Sequence, residues 1–184
     1  NCMKENESKN GCLAIKPNNM SHEEAASVSY GGLLAIHFMR KINIQSGQKV
    51  LIYGASGAIG TVAVQIAKSI GAEVTAVCGS SNAELVKSLG ADKVIDYTND
   101  GSINKLEVYD YILDAAGKNK KSNLKTASKN ALKENGKYIS VDDGLLELRS
   151  EYLKQLTELC EAGKIKAVTD STYPLEQIVE AHRY

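Results

Sequence analysis

The chain has 184 residues, 43% of them hydrophobic and 24% charged, which suits one globular domain with a core that needs no disulfide or metal to hold it. Lysine plus arginine and aspartate plus glutamate balance at 22 each, so there is no net field to draw in nucleic acid or an anionic membrane surface. No apolar run approaches the roughly 20 residues of a membrane-spanning helix, and the opening Asn1 to Asn10 is too polar for a secretory signal.

Ser21 and Glu24 have capping-box spacing ahead of an alanine-rich run, which predicts a helix that meets Gly31-Gly32 and continues to Ile42. Two adjacent glycines mark either a break or a close approach of backbone to a neighbour. Ser46-Gly47 makes a turn, and Lys49 to Tyr53 is a short apolar strand. After a glycine-rich turn, a helix from about Ala58 to Ile70 is stopped by Gly71. Glu73 to Val77 is the next strand, Asn82 to Leu89 a helix with Gly90 past its end, and Lys93 to Asp96 a third strand. Tyr109 to Leu113 and Lys137 to Val141 are two more, separated by a helical pattern over Ser122 to Leu132 that ends near Gly136. Glu147 to Glu161 is amphipathic, with Leu148, Leu153, Leu156, Leu159 and Cys160 on its inner side, and a last helix begins at Leu175. Short strands, apolar on both faces and alternating with helices, predict an α/β fold: a doubly wound parallel sheet in three αβα layers.

Cys2, Cys12, Cys78 and Cys160 show no spacing of a zinc knuckle or a redox pair, so they read as free thiols in a reducing, cytoplasmic setting. His22, His37 and His182 read as helix-surface residues, and His22-Glu23-Glu24 lacks the second histidine of a zinc-protease helix. No metal site is expected. There is no Ser-His-Asp or Cys-His set and no acid–base pair to assign as catalytic. Tyr30 beside the glycine pair reads as packing, and Lys118 to Lys121 as a solvated turn rather than an electrostatic guide.

The most informative segment runs strand, glycine turn, helix: Val50 to Tyr53, then Gly54-Ala-Ser-Gly57-Ala-Ile-Gly60. In a dinucleotide-binding fingerprint the first glycine makes the tight turn, the second admits the pyrophosphate and the third lets helix pack on strand. Ala55, Gly57 and Gly60 take those places here, with Gly54 one residue earlier, and the amides of Ser56, Gly57, Ala58 and Ile59 then face a pyrophosphate at the helix's positive end. An NAD(H) site ends its second strand with an acidic residue for the adenosine ribose. That corner reads Val77-Cys-Gly-Ser80-Ser81-Asn82, with no carboxylate to repel a 2′-phosphate and small groups to bond it, which favours NADP(H) over NAD(H). The same three residues also suit a helix N-cap.

Leu13-Ala-Ile-Lys-Pro17, Ser21 to Ala26, Tyr30-Gly-Gly-Leu33, the glycine turn, Ser88-Leu-Gly-Ala-Asp92, Val94 to Tyr97, Asp114-Ala-Ala-Gly117, Gly163 to Lys166, Tyr173 to Leu175 and Glu180 to Arg183 occur in order. Together they resemble the medium-chain dehydrogenase/reductase superfamily, in its zinc-independent quinone oxidoreductase (zeta-crystallin-like) branch. The resemblance implies a Rossmann fold and hydride transfer from NADPH to a quinone, enone or aldehyde-type acceptor, without zinc. It implies that Ser56 to Gly60 carry the pyrophosphate, Ser80, Ser81 and Asn82 the 2′-phosphate, and Tyr97 the adenosine side. Ala115, Ala116, Gly117 and Val141 would then lie by the nicotinamide half.

The family also has an amino-terminal substrate domain related to the GroES fold, a longer stretch after Val141 with a strand that often pairs subunits into a homodimer, and a final strand. The expectation is therefore that residues 1–20 are a polar lead-in left from the link to an absent substrate domain, and that residues 21–184 are a cofactor-binding domain shortened after 144 and at its end. A hydroxyl common in relatives is replaced by Leu34 in Gly32-Leu-Leu-Ala35. The alternative from another class is a module that binds NADP(H) without catalysing. A methyltransferase sheet is similar but wants an acidic ribose hook that this corner lacks.

Overall fold

The computed structural model describes residues 13–118, 122–143 and 149–184. Expectations for Cys2, Cys12, Asn119 to Lys121, Gly144, Glu147 and Leu148 lie outside the described residues. The elements are α1 (His22–Ile42), β1 (Lys49–Tyr53), α2 (Ala58–Ile70), β2 (Glu73–Cys78), α3 (Ala83–Ser88), β3 (Lys93–Asp96), β4 (Tyr109–Asp114), α4 (Asn123–Lys129), β5 (Leu132–Ser140), α5 (Ser150–Glu161) and α6 (Ile178–Arg183). Among the described residues, 3-10 turns at Ser80–Asn82, Asp100–Lys105 and Leu175–Gln177 join them.

The five strands are all parallel in the order β3-β2-β1-β4-β5. This is the expected doubly wound sheet, and its order reverses between β1 and β4. Side chains alternate as a two-residue period requires. Val50 and Ile52 of β1 join one core, with Val74, Ala76 and Cys78 of β2 and residues of α1, α2, α3 and α5. Leu51 and Tyr53 join the opposite core, with Val77, Ile95, Tyr109, Ile112 and Leu124 of α4. A sheet covered on both faces explains why its strands read as continuous apolar runs.

Helix α1 starts on the expected capping box, in which the Glu24 N–H donates to Ser21 Oγ (3.2 Å) and the Ser21 N–H donates to Glu24 Oε2 (2.8 Å). It does not break at Gly31-Gly32. A Cβ on Gly31 would lie 2.3 Å from the Ala58 carbonyl oxygen, and one on Gly32 2.7 Å from Leu156 Cδ2. The glycine pair is therefore a close approach, with α1 pressed on the start of α2 on one side and on α5 on the other.

Other boundaries differ from expectation for local reasons. Helix α4 ends at Lys129 rather than near Gly136, and β5 starts at Leu132 with a break in register: Tyr109 pairs with Leu132, but Tyr111 pairs with Lys137. Lys133 to Gly136 thus form a bulge, which a helical periodicity conceals. His37 is buried, 5% exposed, against Phe38 and Tyr152, and is not the surface residue expected. Cys78 and Cys160 are free and buried, as expected. Tyr30 is 70% exposed, so it is not a packing residue. Residues 15 to 19 lie on α5, with Thr157 Oγ1 donating to the Ile15 carbonyl (3.1 Å) and Asn19 Nδ2 to that of Cys160 (2.9 Å).

At the amino ends of the strands, Lys49, Glu73, Lys93 and Glu107 form a charged ring: Lys49 to Glu107 at 2.6 Å, Lys93 to Glu73 at 2.7 Å, and Lys93 also to Glu107. Hydrogen bonds from Lys49 and then Lys93 hold the Glu107 carboxyl down at about 2. A carboxyl depressed in the folded state adds stability that is present above its unfolded value and lost as pH falls through the folded one. Acidification from about pH 5 to about pH 2 should therefore lower the thermal midpoint of the wild type more than that of Glu107→Gln. Equal slopes in calorimetry would remove the ring from the acid response.

Candidate functional site: a cleft at the carboxyl ends of the strands

Open parallel sheets bind ligands beyond the carboxyl ends of their strands where strand order reverses. At that point, between β1 and β4, lies a cavity of about 280 Å³ lined by Tyr53, Gly54, Ser56, Gly57, Cys78, Tyr97, Ala115 and Ala116. Five expected site residues, Ser56, Gly57, Tyr97, Ala115 and Ala116, line it directly. Ala58, Ile59 and Gly60 follow Gly57 in the first turn of α2, and Ser80 to Asn82 follow Gly79 just past β2. Gly117 and Val141 flank the second wall, where a Cβ on Gly117 would lie 3.3 Å from Val141 Cγ2.

The three glycines of the loop have separable roles. Gly54 sits at φ +79 and makes the tight turn, a role expected of Ala55; a Cβ there would also lie 3.0 Å from the Ala116 methyl. The N–H groups of Gly54 and Ala55 both donate to the Val77 carbonyl (3.0 Å each), which ties the turn to β2. Gly60 packs α2 on the loop, because a Cβ there would lie 2.2 Å from the Gly54 carbonyl oxygen. Gly57 is different: its backbone is extended (φ −81, ψ 172), and the nearest atom to an added Cβ is the Gly54 oxygen at 3.4 Å. The fold itself leaves that position open toward the cavity.

The Thr61 N–H donates to the Gly57 carbonyl (2.9 Å), the first bond of α2. The preceding amides of Ala58, Ile59 and Gly60 therefore head the helix without intrahelical acceptors, at its positive end. In the corner past β2, Asn82 is the N-cap of α3 but its side chain makes no capping bond. Ser80 and Ser81 are exposed, so the small polar groups of this corner are not consumed by capping. The Tyr97 ring lies 6.3 Å from that of Tyr53. Burial, and then the charge of Asp96, push the Cys78 thiol up from its ordinary range, which leaves it a packing group.

The second wall rests on a buried polar network that periodicity and motif spacing do not reveal. Asp114, 2% exposed, ends β4. Its Oδ1 accepts the N–H groups of Ala116 (3.2 Å) and Gly117 (3.1 Å). Its Oδ2 is 2.6 Å from Lys125 Nζ and accepts from Tyr138 Oη (2.8 Å). Burial and the Asp114 carboxylate hold the Tyr138 phenol well above its ordinary range, so it stays protonated and donates. A signal existed in the motif Asp114-Ala-Ala-Gly117, but its partners Lys125 and Tyr138 come from α4 and β5.

Residues 58–144 match a domain family described as zinc-binding dehydrogenase, and residues 144–184 match a second family of the same description. A mitochondrial NAD(P)H oxidoreductase, RTN4IP1 of Mus musculus, is 33% identical over 218 residues, covering 92% of this chain and 54% of its own length. A chloroplastic NADPH-dependent alkenal/one oxidoreductase of Arabidopsis thaliana is 28% identical over 184 residues, covering 94% and 46%. The solved quinone oxidoreductase of Coxiella burnetii superposes with a TM-score of 0.76 at 26% identity, covering 91% of this chain and 58% of that one. The fold is a Rossmann-like α/β fold, shared with these enzymes. The chain's relatives are quinone and NAD(P)H oxidoreductases of the medium-chain dehydrogenase/reductase superfamily, and the chain is similar to their cofactor-binding half. It spans about half the length of the curated relatives it matches.

The loop glycines should separate by stability. Gly60→Ala forces backbone apart and should cost about 1–3 kcal/mol in urea unfolding, whereas Gly57→Ala should stay within about 1 kcal/mol of wild type. Equal losses at the two positions would contradict this assignment.

Proposed function

We propose that this chain is the nicotinamide-cofactor-binding domain of an oxidoreductase that transfers hydride from NADPH to a quinone, enone or aldehyde-type acceptor. The observation that carries the reading is Gly57: the fold has no room for a Cβ at Gly54 or Gly60, whereas at Gly57, which lines the cavity, a Cβ would meet nothing nearer than the Gly54 oxygen at 3.4 Å, which leaves space for a ligand at the start of α2. In this reading Ser56 to Gly60 hold the pyrophosphate and Ser80, Ser81 and Asn82 bond the adenosine 2′-phosphate. Tyr97 walls the adenosine side, and Ala115 to Gly117 with Val141 wall the nicotinamide half. When bound, the reduced nicotinamide supplies the hydride; the chain holds it in place and excludes water on one side. The relatives, by name NAD(P)H, alkenal/one and quinone oxidoreductases, support a nicotinamide cofactor and acceptors of the quinone and enone kind.

NADP(H) is preferred over NAD(H) in this reading because no carboxylate follows β2. In this reading hydride transfer proceeds without zinc; among the described residues no group of three or more His, Cys, Asp or Glu could hold a metal ion. Residues 21–184 are the cofactor domain and 1–20 a lead-in to a substrate domain, with the family's sequence shortened after 144. The acceptor is a small molecule, and a homodimer is the assembly in keeping with the family. Among the described residues no helix is long and apolar enough to cross a membrane. Free buried thiols at Cys78 and Cys160 favour a reducing compartment, the cytoplasm first, although the two relatives above carry organelle names.

A non-catalytic NADP(H)-binding module is the second reading. It is favoured by the cavity lining, where the ionisable groups are the Tyr53 and Tyr97 phenols and the buried Cys78 thiol, with no acid–base pair. NADPH oxidation with a small quinone, measured on this chain and on a longer one that includes a substrate domain, separates the two. Turnover by the longer chain supports the enzyme, and its absence the module.

Two measurements test the site. Calorimetric titration should show NADPH binding at least tenfold tighter than NADH, and tighter NADH binding would refute the preference. Gly57→Val should melt cooperatively near the wild-type midpoint yet bind NADPH more than tenfold more weakly. Near wild-type affinity in that variant would displace the pyrophosphate from this loop.

A further inference from the structure

The wall formed by Ala115, Ala116 and Gly117 has little freedom of its own. The N–H groups of Ala116 and Gly117 are taken by one carboxylate oxygen of Asp114 (3.2 and 3.1 Å), and that of Ala115 by the Tyr53 carbonyl (2.9 Å). The Gly117 carbonyl accepts from Lys125 Nζ (2.5 Å), the same ammonium that pairs with the other carboxylate oxygen at 2.6 Å. Tyr138 Oη donates to that second oxygen (2.8 Å), and Ser140 Oγ lies 3.4 Å from it. Asp114 is 2% and the Lys125 side chain 13% exposed, so the pair works where water screens it little.

The turn faces the glycine loop at contact distance, the Ala116 methyl being 3.0 Å from where a Gly54 Cβ would stand. Any drift of the turn would therefore change the width of the cleft between Ala115-Ala116 and Gly54 to Gly57. In a doubly wound sheet each half takes one mononucleotide of the ligand. The β1-β2-β3 half carries the glycine loop and the polar corner, so the half built on β4 and β5 receives the other mononucleotide. Asp114, Lys125, Tyr138 and Ser140 all belong to this second half or to the helix within it.

We propose that Asp114, braced by Lys125 and Tyr138, is a positioning residue that sets the Ala115–Gly117 wall for the nicotinamide half of the ligand, with no share in holding the adenosine half. This rests on the dinucleotide reading above. A merely structural ion pair, holding α4 to the sheet, would act on both halves alike or on neither.

Affinities for NADPH and for 2′,5′-ADP, which is the adenosine half alone, distinguish these cases. Asp114→Asn leaves a buried ammonium unpaired and Lys125→Met a buried carboxylate, and either can fail to fold. The double variant Asp114→Asn/Lys125→Met removes both charges together, and Tyr138→Phe removes one hydrogen bond. In the double variant NADPH affinity should fall at least tenfold, with 2′,5′-ADP affinity within twofold of wild type. The fluorescence of the bound reduced nicotinamide should shift toward that of NADPH in water.

Tyr138→Phe should show the same pattern at about threefold, and it decides alone if circular dichroism shows the double variant unfolded. Parallel loss of both ligands, or no loss of either, overturns the proposal while leaving the dinucleotide reading intact. If the wild-type chain binds neither compound, the dinucleotide reading falls and the positioning role with it.

Discussion

Helix α2 begins where three backbones meet without room for a side chain between them. The Gly54 carbonyl oxygen stands 2.2 Å from where a Gly60 Cβ would be, and the Ala58 carbonyl oxygen 2.3 Å from a Gly31 Cβ. These clearances bring the end of β1, the first turn of α2 and the middle of α1 into direct contact. The rest follows from that approach. The unbonded amides of α2 reach the cleft, α1 can span the helical layer and reach α5, and the end of β1 is left free to face β4. Interiors packed at crystal density transmit such constraints, because there is no slack to absorb an added methyl group.

The two ends of the sheet use polar groups in opposite ways. At the amino ends, Lys49, Glu73, Lys93 and Glu107 form a partly exposed ring, where charges attract through water and contribute modestly. At the carboxyl ends, one buried carboxylate, Asp114, gathers two backbone amides, an ammonium and a phenol. A buried charge is tolerated only when every oxygen is occupied, so Asp114 constrains its partners tightly. Rigidity is thus concentrated beside the cleft, on the wall that needs a fixed position, while the opposite corner at Ser80 to Asn82 keeps its side chains unengaged.

Much of the fold was legible because its signals are local. Capping at Ser21 and Glu24, the stop at Gly71, and the apolar runs of β1 to β4 each depend on a few neighbouring residues. The start of β5 is not legible in this way, because Lys133 to Gly136 bulge out of register with β4, and register is set by a partner strand far away in the chain. His37 looked like a surface residue because a helical wheel cannot show that α5 brings Tyr152 over it. Within the site, the glycine loop was readable as a loop, but not the division of labour by which Gly54, rather than Ala55, makes the turn.

The sequence by itself determined the alternation of strands and helices, the glycine loop between β1 and α2, and the absence of a carboxylate past β2, since each is a matter of spacing along the chain. Whether Gly31-Gly32 broke a helix or admitted a neighbour was decided by tertiary structure, as was which of the loop glycines has open space beside it. The assembly of Asp114, Lys125 and Tyr138 was decided there too. The physical reason is common to all three: each depends on clearances and charge pairing between segments remote in sequence, which exist only once the layers have packed.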